Sequence, residues 1–324
     1  MKFTFLLLKI TITASLCVWL YTRVDLQALQ EGLAHLGALP IVLAVLLHVA
    51  VVFLGAFRWW ILLTHTHATT PFYKAFPSYY LGLFFNNLLP TGLGGDAVRI
   101  LHLRARGVNT KALVSSTLMD RIIGLSTVII MGFCGVLISK NFDFSSYTKT
   151  LFIALILFGL LIAGILLSDR SFRFIEAIAQ KYRHTRVRTW LLDILLACYS
   201  YRATKLRIAF AYAISVIGQS LVIIVYFMLG RGLGIDLTLA TYFVAIPVVF
   251  LAASLPVSIG GLGVREGALV GMLISAGADL KIAVNLSLAY LIVLFISSMP
   301  GALVILFSRI RKNGLIETDK NKGV

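Results

Sequence analysis

The sequence predicts an all-α integral membrane protein: a polytopic helical bundle of about six full spans with two oppositely oriented re-entrant helical hairpins in an inverted repeat. Three observations carry that expectation. The 324 residues are 59% hydrophobic and only 13% charged, with a mean hydropathy of +0.94, well outside the composition of soluble globular domains. Apolar runs near the length that crosses a bilayer recur along the chain, and they are continuous rather than alternating, which selects helices over a barrel. Finally, the stretch Leu89 to Arg99, LPTGLGGDAVR, returns 166 positions later as Leu255 to Arg265, LPVSIGGLGVR.

The elements follow in order. A first span covers residues 3–21, with Lys2 and Lys9 favouring a cytoplasmic N-terminus. It lacks a small-x-small cleavage site before Arg23 and is read as a retained span, not a signal peptide. A second span, 39–63, ends in FRWWILL, where Arg58 is expected to snorkel to the headgroup layer beside Trp59 and Trp60. The run 75–89 is short, bordered by Pro77 and Pro90, and basic on both sides, so segment 75–106 is expected to enter and return as a hairpin. Spans at 113–138 and 150–167 follow. The connection 169–207 is the most basic of the chain, which places it in the cytoplasm; Phe172, Ile175, Ala179 and Tyr182 give part of it a surface-helix period. A span at 208–229, a second hairpin at 238–276 and a last span at 282–307 complete the chain, with 309–324 a cytoplasmic tail.

The charge of +16 lies in short connections between apolar runs, so it reads as topology signal and lipid-headgroup contact, with no nucleic-acid partner implied. Cys17, Cys134 and Cys198 stand in separate segments without ligand spacing; neither a disulfide framework, a metal nor a cofactor is expected.

The repeat extends beyond its motif: the offset of 166 positions carries span 39–63 onto span 208–229 and span 113–138 onto the last span. The first repeat is thus 39–138 and the second 208–308. Inverted repeats with broken helices in matching positions are the plan of many secondary transporters, with the site near the midplane. Backbone that leaves the helix at membrane depth must face protein or a water-filled cavity. The turns at Gly94-Gly95 and Gly260-Gly261 permit close approach, the helix after each offers N–H groups to a phosphate, and Arg99 and Arg265 add bidentate donors. Glycine packing and arginine snorkelling are the structural alternatives, but an arginine at a helix centre costs about 2.5–3.5 kcal/mol on insertion scales. Asp120 and Arg121 sit early in a span and pair either with Arg99 or Glu266 or with each other. Glu266 is a counter-ion for Arg265 or a group that couples transport to protons. Asn86 and Asn87 line a polar path or cap the broken helix, and Asp96 complements a helix dipole. The Gly-rich helix around Gly260 suits dimerisation as well as a site, so a homodimer stays open.

Four ordered motifs, FRWWILL, YYLGLFFNNLLPTGLGGDAVRI, STLMDRIIGL and LPVSIGGLGVREGAL, resemble the flippase-like family found as the transmembrane region of lysylphosphatidylglycerol synthases. The resemblance covers nearly the whole chain and implies a bacterial or archaeal cytoplasmic (inner) membrane; Lys2 and Lys9 at one end and RIRK after the last span at the other favour cytoplasmic termini. The resemblance also implies lipid movement between leaflets. Only a short tail follows the last span, so the lysyl transferase domain of the bifunctional relatives is expected to be absent and the chain to be a transporter, not an enzyme. The expected substrate is an anionic or aminoacylated phospholipid or a polyprenyl-phosphate lipid. The alternatives are a membrane enzyme acting on a lipid-linked sugar, disfavoured because the first outer connection offers only Asp25 and Glu31 as acids, and a small-molecule or ion transporter. No GxxxxGK[ST] loop for ATP is present.

Overall fold

The computed structural model describes residues 36–65, 70–88, 94–138, 199, 201, 204–254 and 261–305. Among the described residues the chain forms helices and no strand: α1 (Ala38–His65), α2 (Phe72–Leu88), α3 (Gly94–Arg104), α4 (Thr110–Ile138), α5 (Lys205–Gly232), α6 (Leu239–Ser254), α7 (Val264–Ser275) and α8 (Leu280–Ser298). The chain remains helical over residues 300–305 beyond α8. The expected spans at 3–21 and 150–167, most of the basic connection and the tail lie outside the described residues, as do Pro90, Pro256 and Gly260.

Four helices are long and apolar enough to cross a membrane: α1, α4, α5 and the stretch Leu280–Ile305. With the family match below, they make this a multi-pass helical membrane protein. The other four are too short for the roughly 30 Å of hydrocarbon. At 1.5 Å per residue, α2 and α6 reach about 25 Å and α3 and α7 under about 20 Å. The sequence put Pro77 at a helix border, whereas α2 begins at Phe72 and runs through it. As the sixth residue of α2, Pro77 lies past the first turn, so the helix accommodates it with the loss of one i→i−4 bond.

The short helices pair as antiparallel hairpins. In α2–α3 the Ser78 hydroxyl lies 2.7 Å from His102 Nδ1, and one turn closer to the tip Gly82 faces Gly95 so tightly that a Cβ on Gly82 would stand 2.7 Å from the Gly95 carbonyl oxygen. In α6–α7, Gly261, at φ +78°, would set a Cβ 3.2 Å from Ala253, and farther along Val244 packs with Met272. Each hairpin joins its following span in the same way. Gly107 (φ +86°) and Gly277 (φ +96°) turn the chain. Two residues later the side chains of Asn109 and Asp279 accept the N–H groups of Lys111 and Lys281, both at 2.8 Å, closing the first turns of α4 and α8. Between arginine and glycine the second copy has four more residues, one extra helical turn in α7.

The central pair is α1 with α5, and it is antiparallel. Leu36, at the α1 entrance, packs where a Cβ on Gly232 would sit; at the other end Thr204 Oγ1 lies 3.5 Å from His65 Nδ1, and the Tyr201 hydroxyl donates to the Leu62 carbonyl at 2.7 Å. Helices equivalent by repeat therefore run in opposite directions. The packing obeys the same two-fold relation: α2–α3 matches α6–α7, α1–α4 matches α5–α8, and α4–α5 matches α8–α1. Two of the pairings between repeats set a span against a hairpin, α4 with α6 and α8 with α2. At these crossings Gly135 faces the Phe243 carbonyl, 2.6 Å from an ideal Cβ, and Gly301 faces the Tyr80 carbonyl with Phe84 Cβ at 2.6 Å. These two glycines stand 166 positions apart.

Replacing either crossing glycine by leucine forces α4 from α6 or α8 from α2, an overpacking cost of ~1–3 kcal/mol. Thermal unfolding in detergent should show Gly135→Leu and Gly301→Leu equally destabilised. Gly218→Ala, where a Cβ would meet nothing within 4 Å, should stay within about 1 kcal/mol of the parent.

Candidate functional site

Two clusters of buried charged and polar side chains lie at different levels of the α1–α5 pair. The first is built around Asp120, on α4 and 4% exposed. Arg58 on α1 donates from Nε to Asp120 Oδ1 at 2.7 Å and from Nη1 to Ser215 Oγ on α5 at 2.7 Å. Arg99 on α3 approaches the other carboxylate oxygen at 3.4 Å and pairs with Asp96, one turn earlier, at 2.8 Å. Asp96 also pairs with Arg121 on α4. The chain of contacts is Arg58, Asp120, Arg99, Asp96, Arg121, in which three guanidiniums share two carboxylates.

Arg99 is 4% exposed and lies against two adjacent aromatic rings, its guanidinium carbon 4.6 Å from the Trp59 ring centroid and 5.2 Å from that of Tyr79. Desolvated cation–π contacts of this kind hold the guanidinium plane. Several polar atoms nearby are buried without a hydrogen-bond partner: Arg99 Nε, Trp59 Nε1 and Thr117 Oγ1, with Asn86 Oδ1 and Asn87 Nδ2 toward the hairpin tip. Thr117 stands one turn from Asp120 and Arg121 on α4, and Asn86 packs against Gly95.

The second cluster surrounds Arg265 on α7. Its Nε donates to Glu266 Oε1 at 2.9 Å, and the Glu266 carboxylate also accepts the Gly263 N–H at 2.6 Å. Arg265 lies 5.9 Å from the Tyr290 ring; Tyr290 stacks on Tyr226 at 3.9 Å and faces His48 edge-on at 5.7 Å. One cation and one anion cancel here.

The structure therefore places Arg99, Asp120 and Arg121 in one cluster and Arg265 with Glu266 in another. Along α1 the levels are marked by Arg58 and His48, about 15 Å apart at 1.5 Å per residue. Gly94 and Gly95 are buried at the start of α3, Gly95 as a contact surface for Gly82 and Asn86. Gly261 sits in the turn before α7, and Asn86 and Asn87 are half-buried near the end of α2. Asp120 meets Arg99 and Arg58, and Arg121 meets Asp96, so the two neighbours do not pair with each other. Arg58 does not snorkel. Its helix continues to His65, which sets the residue about two turns inside the end, and its side chain is 13% exposed and held by Asp120. Trp59, Tyr79 and Ser215 of the first cluster, and His48, Tyr226 and Tyr290 of the second, gave no distinguishing signal in a sequence rich in aromatic residues. Arg58 gave one: a single cation within an apolar span calls for an intramembrane anion.

Asp120→Asn leaves Arg58 buried without the carboxylate it pairs with and should cost ~3–5 kcal/mol, measured as a fall in thermal or denaturant stability of the detergent-solubilised chain. Arg58→Met with Asp120→Leu should recover most of that loss, because Arg99 keeps Asp96. Arg121→Gln, at a side chain 34% exposed, should cost no more than ~1 kcal/mol.

No curated protein and no solved structure matches the chain. A family model described as Lysylphosphatidylglycerol synthase TM region matches residues 6–301, a stretch that contains the first repeat, nearly all of the second and both clusters. The chain thus belongs to the lysylphosphatidylglycerol synthase transmembrane-region family.

Proposed function

We propose that the chain is a lipid translocase of the cytoplasmic (inner) membrane, moving an anionic or aminoacylated phospholipid or a polyprenyl-phosphate lipid between leaflets without covalent chemistry. The observation that carries the proposal is the pair of arginine clusters stationed about 15 Å apart along the α1–α5 axis, half the thickness of the hydrocarbon core. A headgroup crossing that core meets a guanidinium at each level while its tails stay in lipid.

The first cluster suits a phosphate better than the second. It holds buried N–H donors without acceptors on Arg99 and Trp59, and an incoming oxyanion supplies the lone pairs they lack. In this reading α2–α3 and α6–α7 re-enter from opposite faces, as their length and antiparallel folding favour. The antiparallel α1–α5 pair relates the two halves as the inverted repeats of secondary transporters are related. Basic connections place both termini in the cytoplasm.

The test is leaflet exchange of fluorescent phosphatidylglycerol, lysyl-phosphatidylglycerol and a polyprenyl phosphate in liposomes holding the purified chain. Exchange of at least one of these is expected. Trp59→Phe, which keeps the aromatic platform and removes one unpartnered donor, should slow it about tenfold, or ~1.4 kcal/mol, with unchanged thermal stability. Arg99→Gln should abolish it. Absence of exchange for all three lipids would overturn the proposal.

A further inference from the structure

The repeat relation makes the two hairpins comparable residue by residue, and their open ends differ in chemistry. At the open end of α2–α3 lies a cavity of about 400 Å³ lined by Tyr73, Lys74, Pro77 and Arg106, a size within the range of small-molecule sites. Lys74 and Arg106 are exposed, and Lys74 Nζ reaches over the Tyr73 ring at 5.9 Å. Tyr73 is 70% exposed, and Leu101 on the same hairpin is 57% exposed, so the cavity opens beside apolar surface of the kind lipid covers. One turn deeper, Ser78 and His102 join across the hairpin at 2.7 Å; beyond them lie Gly82 and Arg99. A polar strip thus leads from the cavity to the first arginine cluster.

The second hairpin has no such strip. The offset of 166 positions that pairs the two motifs places Ala240 and Val244 where Lys74 and Ser78 stand. Where Ser78 meets His102, Val244 packs with Met272 in an apolar cluster. Aligned on the turning glycines, Arg104 and Arg106 before Gly107 become Ile274 and Ala276 before Gly277. A symmetric scaffold that keeps two cations, an aromatic ring and a hydroxyl–imidazole pair on one hairpin only has a use for them at one face of the membrane.

We infer that this cavity is a vestibule for a phosphate group, loaded from one face only, with Lys74 and Arg106 as its ligands and Tyr73 bordering the lipid. Lys74 and Arg106 give the cavity ammonium and guanidinium donors of the kind that hold phosphate oxygens, and an aromatic ring at the headgroup level suits a lipid-borne phosphate. The source is a lipid headgroup or free phosphate. The inference deepens the translocase reading by naming where its headgroup first binds, but binding is measurable with no lipid crossing the membrane.

The experiment titrates the purified full-length chain, in zwitterionic detergent, with dihexanoylphosphatidylglycerol by calorimetry. The parent should bind saturably; Lys74→Gln with Arg106→Gln should raise Kd at least tenfold, and Lys74→Glu alone should do likewise. Lys281→Gln, at the joint before α8 in the other repeat, should leave Kd unchanged. All three variants change exposed side chains, and unaltered thermal melting establishes that they are folded. Competition by inorganic phosphate assigns the cavity to a free oxyanion, and its absence assigns it to the lipid diester; both outcomes support the vestibule. An unchanged Kd in the double variant, or no binding by the parent of either phosphatidylglycerol or phosphate, overturns it. Binding that is lost in the variants while the parent exchanges no lipid in liposomes would keep the vestibule and reject the translocase.

Discussion

Asp120 is the anion on which the first half of the molecule is organised. A carboxylate in a bilayer interior is tolerated only with its charge matched and its lone pairs filled. Asp120 meets that condition by taking Arg58 from α1 on one oxygen and Arg99 from α3 on the other. Because Arg58 also reaches Ser215 on α5, one buried charge fixes the relative placement of two spans and a hairpin and brings the central pair into the same network. The apolar packing around it, including Trp59, Leu63, Leu103 and Leu113, is non-directional and would accept other registers. The ion pairs would not.

The second half keeps the backbone plan and changes the chemistry. Where the first repeat gathers charges from three helices, Arg265 finds its counter-ion in the next residue. Neighbours on a helix normally point about 100° apart, but Glu266 is drawn back to the helix start by the Gly263 N–H, and the long guanidinium stem bends to meet it there. The remainder of that site is aromatic, with Tyr226, Tyr290 and His48 packed face to face and edge to face. Its Arg265–Glu266 pair is closed on itself, whereas the first cluster keeps buried N–H donors without acceptors on Arg99 and Trp59.

The spans were legible because each of α1, α4, α5 and α8 is a continuous apolar run; the structure moves the bounds of the first three by no more than a turn, while α8 ends at Ser298 and helix resumes over residues 300–305. The repeat was legible because LP, Gly-Gly and Arg recur at one spacing, and the packing respects that spacing down to Gly135 and Gly301. Side-chain partners were less so. An arginine's reach is long enough that Arg58 serves equally, on paper, the headgroup layer or the interior; the choice depends on how far α1 extends and on which helix faces it. Asp96 likewise reads as a dipole-matching acid from its place in α3, while its bridging of Arg99 and Arg121 depends on the crossing of α3 with α4. The arrangement of Arg99 and Arg265 at separate levels follows from the antiparallel α1–α5 pair, which no local pattern encodes.

The pairings of α4 with α6 and α8 with α2 set each hairpin against the closing span of the opposite repeat, and they do so at glycines where backbone meets backbone. Close-packed interfaces slide or rotate as units and do not deform gradually. Neither hairpin is therefore a door on its own frame: its hinge post belongs to the other half. A tilt that frees α2–α3 from α8 acts at the same time on the span that α1 shares, and the equivalent displacement is imposed on α6–α7 through α4. In the proposed translocase, opening toward one face and closing toward the other would therefore be coupled through these shared glycine contacts.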